Sequence, residues 1–306
     1  MEVVRAVTVK DRWLSVRMIA EEMGLDKNAV HRILINHLHM WKICAKLVPK
    51  NLCVEQKVNW LEICHDLPRR LEIEPDFLDK VITGDESWVF DYDPETKWQS
   101  AEWRTKISPH PKTARMSSSR VKTMIIIFFD SRGIVHKESV PPGQTVNRAF
   151  YKDALERLQK WVQRVWTDIA DNWVLHHDNA PAHTALSIQE FLAKKNIPVL
   201  SHPPNSPDLA PCDFYLFPKL KSKLKGHHFR TTEIIQKIVT DELHALTEND
   251  LWNCYDQWKK CWNHCVTSKG HTLKETISGD SNRHLNKKSV HLLLGQPSYL
   301  NFCIFG

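Results

Sequence analysis

The sequence predicts an α/β domain preceded by a small all-α domain that contains a helix-turn-helix. Its 306 residues are enough for one large domain and a small one. Residues 14–38 carry helix caps and helical apolar spacing, whereas from residue 77 apolar strand-like runs alternate with helical segments, as in α/β domains. Because 42% of the residues are hydrophobic and 25% are charged, collagen-like, low-complexity and disordered classes are excluded.

Two short helices around a turn are predicted near the start of the chain. Ser15 and Asp26 are residues that cap helices, and Gly24 between them can end the first helix in the left-handed conformation. Apolar residues recur at helical spacing on both sides of this glycine. The helices are expected over residues 16–23 and 27–38.

The spacing of these helices favours a helix-turn-helix over a plain helical hairpin, although a hairpin remains an alternative. Ala20 is a small residue where the helices would touch, Gly24 suits the turn, and Val30 is an apolar anchor on the second helix. In such a motif the second helix enters the major groove of DNA. The candidate DNA-binding residues on it are Lys27, Asn28, His31 and Arg32.

Strands and helices alternate after a connecting segment. Residues 47–75 are interpreted as a linker that ends in a helix from Val54 to Leu71. The sheet that follows has two strands on either side of Gly84-Asp85-Glu86 and a strand pair joined by a turn at residues 130–133. Expected strands are 81–83, 88–90, 124–129, 134–140 and 173–176, and expected helices are 147–169, 184–194 and a stretch from Phe214.

Three aspartates stand where such a domain places its chemistry. Asp85 and Asp178 each follow an apolar strand-like run, and Asp213 opens the helical stretch near Phe214. Carboxylates that converge at one sheet edge repel each other unless cations lie between them, and hard oxygen ligands select Mg²⁺ or Mn²⁺. Two such ions about 4 Å apart can cleave a phosphodiester. Each aspartate taken singly could instead be a capping residue.

Basic residues are concentrated in one segment, on a chain whose net charge is +6. Residues 97–122 carry seven lysines and arginines against one acid, Glu102, which suits a phosphate backbone. A solvated charged loop is the alternative interpretation. A second basic cluster spans residues 219–225. The candidate phosphate-binding residues of the first segment are Arg104, Lys112, Arg115, Arg120 and Lys122.

The sequence lacks the motifs that are typical of several other classes of protein. No glycine-rich nucleotide-binding motif occurs, and no apolar run reaches the ~18 residues of a membrane span, so we expect no membrane partner. The 8 cysteines form no CxxC pair, which favours reduced thiols. Zinc is disfavoured because the spacing of one Cys/His cluster fits no common site. That cluster consists of Cys254, Cys261, His264 and Cys265.

Three sequence blocks resemble the catalytic blocks of mariner transposases. They are Thr83–Trp88, His176–His183 and Ser206–Phe214, and 34 residues separate Asp178 from Asp213, as in that family. The resemblance runs from about Glu2 to Val266 and extends to the transposase half of the fusion proteins that join a SET domain to a mariner transposase.

The resemblance implies an RNase H-like catalytic domain, a mixed sheet flanked by helices, in which Asp85, Asp178 and Asp213 hold two Mg²⁺ or Mn²⁺ ions. Members of the family are nuclear DNA endonucleases that cut double-stranded DNA at terminal inverted repeats and join the ends to a TA target. They act as homodimers. On this basis we expect a nuclear protein of DNA recombination and integration, derived from a transposable element.

The sequence departs from the family pattern at both ends and in the linker. The family's Trp-Val-Pro-His motif stands here as Leu47-Val48-Pro49-Lys50. The chain begins just ahead of the second of the family's two helix-turn-helix units, so we expect an N-terminally truncated copy with weakened dimerisation. We predict a helix-turn-helix domain at 1–46, a linker with helix at 47–75, the catalytic domain at 76–266 and an unrelated, poorly ordered tail at 267–306.

The chain has 12 tryptophans, and seven of them do not fit the family pattern. Several lie beside basic residues where the family tends to have arginine, and one base transition converts an arginine codon to tryptophan. We hypothesise an ageing copy that has been losing arginines; the alternative is that the rings fill the core or stack on bases. The seven are Trp13, Trp41, Trp60, Trp98, Trp161, Trp166 and Trp252.

Two rival functions follow from the same residues. A catalytically inactive DNA-binding relic or regulator could retain all three aspartates. An RNase H-like nuclease of DNA repair would share the triad, but no other feature of the sequence supports it.

Overall fold

The computed structural model describes residues 2–42, 52–97, 99–105, 108–109, 111–112, 114 and 116–267. The chain divides into two compact units, Met1–Leu47 and Val48–Gly306, which we describe separately. The predictions for the Leu47–Lys50 motif, Trp98, Arg115 and the tail after Thr267 lie outside the described residues. None of the helices in the described ranges combines the length and the apolar character that a membrane span requires.

Residues 2–42 of the first unit form three α-helices, of which the first was not predicted. Ser15 accepts a hydrogen bond from the Met18 N–H, and Asp26 accepts from two N–H groups of the second predicted helix, so both predicted caps are confirmed. Gly24 adopts the left-handed conformation with φ 61°. The helices are α1 (Glu2–Lys10), α2 (Val16–Met23) and α3 (Lys27–Arg32).

A small apolar core holds these three helices together. It contains the residues whose spacing predicted a helix-turn-helix, Ala20 and Val30, and a valine of the unpredicted α1. The second helix was expected to reach residue 38, but its α-helical part ends at Arg32 and continues as a π-helical turn, Ile33–His37. The buried members of this core are Val4, Ile19, Ala20, Val30 and Leu34.

The second unit is built on a mixed five-stranded sheet with the strand order β3-β2-β1-β4-β5. β1 pairs antiparallel with β2 and parallel with β4, so the centre of the sheet joins both kinds of pairing. The strands are β1 (Val81–Phe90), β2 (Lys122–Phe129), β3 (Ile134–Val140), β4 (Val174–His176) and β5 (Val199–Leu200).

Helices cover both faces of this sheet. The helices are α4 (Val54–Ile73), α5 (Arg148–Val165), α6 (Leu186–Lys194), α7 (Phe217–Leu224), α8 (Thr232–His244) and α9 (Glu248–Thr267). Alternate residues of β2 point to opposite sides, so Ile127 packs with α4, α7, α8 and α9, and Phe128 packs with α5 and α6. Burial on both faces explains the continuous apolar run of β2. The predicted RNase H-like α/β fold is confirmed.

The prediction of two short strands around Gly84-Asp85-Glu86 was wrong. β1 is continuous from Val81 to Phe90 because β2 pairs with it from Thr83 to Phe90, across the polar residues. Asp85 therefore lies within β1 rather than after a strand. Two helices are also shorter than predicted, since the helix expected over 147–169 ends at Val165 and the one over 184–194 begins at Leu186.

The helix assigned to the linker contributes to the core of the second unit. Its residues Trp60, Cys64 and Leu67 are buried in the cluster that also contains the inner face of α9. The indole N–H of Trp60 donates a hydrogen bond to the hydroxyl of Ser206. This segment is therefore more than a connection between domains.

The unusual tryptophans fall into two groups. Trp60 is fully buried, and the Trp166 Nε1 donates to Asp130 Oδ2 at 2.6 Å, so both support the core-filling interpretation. Four others expose at least 40% of their surface, which is unusual for rings of this size. For these four the loss of arginine stays a hypothesis. They are Trp13, Trp41, Trp161 and Trp252.

Substituting Gly84→Ala should destabilise the second unit by about 1–3 kcal/mol. A Cβ at Gly84 would overlap the ring of Phe128, which is fully buried and cannot withdraw into solvent. Denaturant unfolding of both variants measures the effect. The double variant with Phe128→Leu should recover part of the loss relative to the sum of the single changes; wild-type stability in Gly84→Ala would contradict this account.

Candidate functional site

The three predicted aspartates come from three neighbouring elements. Thr83 of β1 pairs with His176 of β4, and Asp85 and Asp178 each lie two residues beyond that pair, at the same level of the sheet. Asp213 lies in a π-helical turn, Cys212–Leu216, that packs against β1 and leads directly into α7. The expected helix near Phe214 is thus π-helical before it becomes α-helical. The structure brings the three carboxyl groups into one electrostatic site.

The pKa values of two of these carboxyls reflect their crowding. Burial raises the pKa of Asp85 well above its ordinary range, and the charges of Asp213, Glu86 and Asp178 raise it further. Burial, followed by the charge of Asp178, raises the pKa of Asp213 to about 7. Such shifts are typical of carboxylates that share one site, where each negative charge disfavours the next.

The pKa of Asp178 is shifted in the opposite direction because His183 stabilises its ionised form. Partial burial tends to raise the pKa of Asp178, but the hydrogen bond and charge of His183 lower it to about 2. His183 Nδ1 lies 2.7 Å from Asp178 Oδ1, and the Ala180 N–H donates to the same oxygen at 2.9 Å. His183 Nε2 lies 3.1 Å from Glu86 Oε1, so the imidazole bridges two carboxylates.

The two carboxylates raise the pKa of the histidine that bridges them. Burial alone would lower the pKa of His183, but Glu86 and Asp178 outweigh it and raise that pKa to about 10. His183 and Glu86 were not predicted as functional residues. The available signal was their place in the sequence blocks, since His183 follows Asp178 by five residues and Glu86 follows Asp85 directly.

Three buried histidines, His176, His177 and His202, lie near the end of β4. Burial lowers the pKa of His176 well below its usual value and that of His177 to about 3. His176 Nδ1 lies 2.9 Å from Thr83 Oγ1 of β1, and His176 Nε2 lies 3.2 Å from His202 Nδ1. His177 Nδ1 lies 2.8 Å from the Tyr151 hydroxyl of α5. These contacts fix the end of β4 and so the turn that carries Asp178.

The chemistry of the three aspartates suits a divalent cation, but their side chains are not arranged as a metal site in the described residues. Asp85, Asp178 and Asp213 offer carboxylate oxygens, which hard cations prefer. Within the described ranges, no group of three or more His, Cys, Asp or Glu side chains is arranged to hold a metal ion. In the Cys/His cluster for which the sequence disfavoured zinc, Cys254, Cys261 and Cys265 line the buried face of α9.

The predicted DNA-binding residues of the first unit lie on the outer face of α3. Lys27, Asn28, His31 and Arg32 are all exposed, while Val30 of the same helix is fully buried. This is the polarity that a recognition helix requires, with one face in the core and the other towards solvent.

The four predicted residues of the basic segment that the structure describes are exposed, but two of them already have partners. Arg104 forms an ion pair with Glu102 at 2.6 Å, and the Lys122 ammonium lies 4.0 Å from the centre of the Trp88 ring. Lys112 and Arg120 are exposed as well. In the described part of residues 91–121 there is no helix or strand.

Comparison with known proteins shows which proteins the chain is similar to. The family model described as "Transposase (partial DDE domain)" matches residues 93–168. The Mariner Mos1 transposase of Drosophila mauritiana is 29% identical over 273 residues, which cover 88% of this chain and 78% of that protein. The human histone-lysine N-methyltransferase SETMAR is 28% identical over 84% of this chain and 38% of its own length.

Solved structures agree with these relatives. The Mos1 mariner paired end complex with Mn superposes with a TM-score of 0.74 at 29% identity, covering 87% of this chain and 78% of that one. The paired end complex with Mg gives the same TM-score and identity over 88% and 78%. With three aspartates gathered on an RNase H-like sheet, and with sequence blocks and a fold shared with these proteins, the chain is similar to mariner transposases over most of its length.

Proposed function

We propose that this protein binds double-stranded DNA and cuts and joins DNA ends by hydrolysis and strand transfer of phosphodiesters. Asp85, Asp178 and Asp213 are its catalytic residues and metal ligands. The observation that carries the proposal is the convergence of these three carboxyls from β1, from the turn after β4 and from the turn before α7. The likeness to Mos1 transposase supports the type of reaction.

The proposed cofactor is Mg²⁺ or Mn²⁺, bound as two ions by the three aspartates. The carboxylate donor set and the raised pKa values of Asp85 and Asp213 fit such cations, and Mos1 complexes with Mn and with Mg support them. When bound, a pair of such ions activates an attacking oxygen and stabilises the leaving oxygen of a phosphodiester.

The protein's own residues prepare the carboxylates for this task. The Glu86 N–H donates to Asp85 Oδ1 at 2.7 Å, and His183 and the Ala180 N–H hold Asp178 Oδ1. Among the described residues, no hydrogen bond reaches the Oδ2 atom of either aspartate. Each carboxylate is therefore oriented through one oxygen, which leaves the other available as a ligand and lowers the cost of ordering on binding.

The proposed partner is DNA with terminal inverted repeats, and the proposed target is a TA dinucleotide. The paired-end complexes of Mos1 support an assembly on DNA ends, in which a second copy of this chain would take part as a homodimer. The exposed polar face of α3 supplies the duplex contact. Because its substrate is chromosomal DNA, the nucleus is the proposed location.

Nicking of a labelled terminal-repeat duplex from a mariner-type element tests the proposal. The full chain should cleave it with Mg²⁺ or Mn²⁺, and excess EDTA should stop cleavage without releasing the duplex. A protein that is folded but neither binds nor cleaves the duplex would overturn the proposal.

A second candidate function is DNA binding without catalysis. It is favoured by the lack, within the described ranges, of three side chains arranged to hold a metal ion. Duplex binding with no cleavage in either metal would establish this function instead of the first.

Substituting Arg32→Ala should weaken duplex binding and make its salt dependence shallower. Arg32 lies on the exposed face of α3, and the loss of one phosphate contact lowers the slope of log K against log salt by about 1. Affinities measured over a range of NaCl concentrations test this. Arg5→Ala, at an exposed arginine of α1, is the matched control, and an equal effect of both changes would point to net charge rather than to α3.

A further inference from the structure

Four lysines alternate over residues 219–225, three on α7 and the fourth just after its end, and three of the four have acidic partners. Lys219 pairs with Asp250 at 2.5 Å, Lys223 with Glu242 at 2.5 Å and Lys225 with Asp93 at 3.8 Å. For the fourth, Lys221, no ion pair within 4.0 Å is formed with any residue that the structure describes. Its charge is therefore not satisfied in the way that its neighbours' charges are.

The π-helical turn determines where Lys221 points. In a regular α-helix, the residue seven positions after Asp213 would lie on the same face two turns later, and the eighth would be turned away by about 80°. A π-helical turn takes up one additional residue. The turn at Cys212–Leu216 therefore returns the eighth residue, Lys221, to the face of Asp213.

Electrostatics agree with this placement. The half-buried Lys221 ammonium lies close enough to Asp213, Asp93 and Asp85 for their charges to act on it, and its own charge lowers the pKa of Asp213. Burial nevertheless lowers the pKa of Lys221 overall, because the helix withdraws the ammonium from water. Its Nζ lies 5.8 Å from the centre of the Phe217 ring, one turn back towards Asp213.

A cation in this position would reduce the repulsion between the aspartates and an incoming DNA phosphate. An approaching DNA phosphate meets the negative charges of Asp85, Asp178 and Asp213, and long-range repulsion opposes its entry. A partly desolvated ammonium without a close carboxylate gains most when an anion arrives, and lysine is a common phosphate ligand. We propose that Lys221 binds a phosphate of the DNA strand at the edge of the aspartate site and so holds the strand for cleavage.

This inference rests on the proposed function and adds a residue to it. A purely structural role is the alternative, in which Lys221 serves only as a standing counter-ion for Asp213. The two roles differ in their effect on DNA, because a counter-ion makes no contact with phosphate. Binding measured without metal therefore separates them.

The experiment compares the full-length wild type with Lys221→Gln, Lys221→Arg and the matched control Lys223→Gln, using the terminal-repeat duplex. In EDTA, Lys221→Gln should lower the slope of log K against log NaCl by about 1, while Lys221→Arg keeps it. At saturating duplex and Mn²⁺, Lys221→Gln should nick about tenfold more slowly or worse. Lys223→Gln should leave slope and rate unchanged, since that lysine pairs with Glu242.

Thermal unfolding shows which variants are folded, and Lys221→Met, with a similar stem and no charge, replaces Lys221→Gln if the latter is not. An unchanged salt slope in a folded neutral variant would overturn the inference while leaving the proposed function intact. An equal loss in Lys223→Gln would also overturn it, by showing a general charge effect. Failure of the wild type to bind and nick the duplex would instead remove the proposed function, and this inference with it.

Discussion

Replacing Asp178 by asparagine should abolish metal-dependent cleavage while leaving duplex affinity within about twofold of the wild type. The substitution keeps the shape of the side chain, and its amide oxygen can still accept from the Ala180 N–H and His183. It removes the negative charge that a divalent cation requires of this ligand. Loss of one member of a catalytic set that acts as a unit lowers the rate by about 10³-fold or more.

Nicking rates in Mn²⁺ and Mg²⁺, with affinity measured separately in EDTA, test this expectation. Asp171→Asn is a matched control, because Asp171 is exposed near the opposite end of β4. The assignment of Asp178 as a metal ligand is wrong if the variant cleaves at the wild-type rate. A loss of affinity as large as the loss of cleavage would show instead that Asp178 acts on DNA binding.

The convergence of the aspartates could be predicted because it depends on local order along the chain. Asp178 follows a short buried strand, and strand ends of an α/β sheet meet at a common edge. The position of Asp85 within β1 could not be predicted in the same way. Gly84, Asp85 and Glu86 interrupt the apolar pattern, and only pairing with β2, about 40 residues later in the chain, keeps the strand continuous.

The charged residues that contact the aspartates could not be predicted from the sequence for a similar reason. His183 and Glu86 are 97 positions apart in the sequence, and only the fold shows that one imidazole bridges Glu86 and Asp178. Lys221 looked like one of four equivalent lysines, because apolar spacing does not distinguish a π-helical turn from an α-helical one. Local pattern thus predicted that the three aspartates come together, and tertiary contacts were needed to find what orients them.

Buried tryptophans show the same limit. Trp60 did not fit the family pattern, yet its ring, on α4, is fully buried in the core that α4 shares with α9. Its indole N–H donates to Ser206, 146 residues away. The exposed Trp13 has no such explanation in the core. A residue type alone therefore did not reveal which ring is structural.

Removing the imidazole of His183 should both destabilise the second unit and slow cleavage. The side chain of His183 is 1% exposed and lies between Asp178 and Glu86, so His183→Ala leaves two carboxylates without their shared cation. Breaking a fully buried ion pair by removing one partner costs about 3–5 kcal/mol; because the Asp178 side chain is 41% exposed, we expect a smaller loss of about 2–3 kcal/mol. Since Asp178 Oδ1 also loses a hydrogen-bond partner, the orientation of this carboxylate towards a cation becomes less defined.

A double-mutant cycle with Glu86→Gln separates this electrostatic role from simple loss of packing. If His183 acts by neutralising carboxylates, Glu86→Gln in the His183→Ala background removes an uncompensated charge and should restore about 1 kcal/mol or more relative to additivity. Denaturant unfolding of the four proteins gives the coupling, and His227→Ala, at an exposed histidine, is the control. Strict additivity would mean that His183 fills space without holding the carboxylates, and the orientation of Asp178 would then have to be attributed to the Ala180 N–H alone.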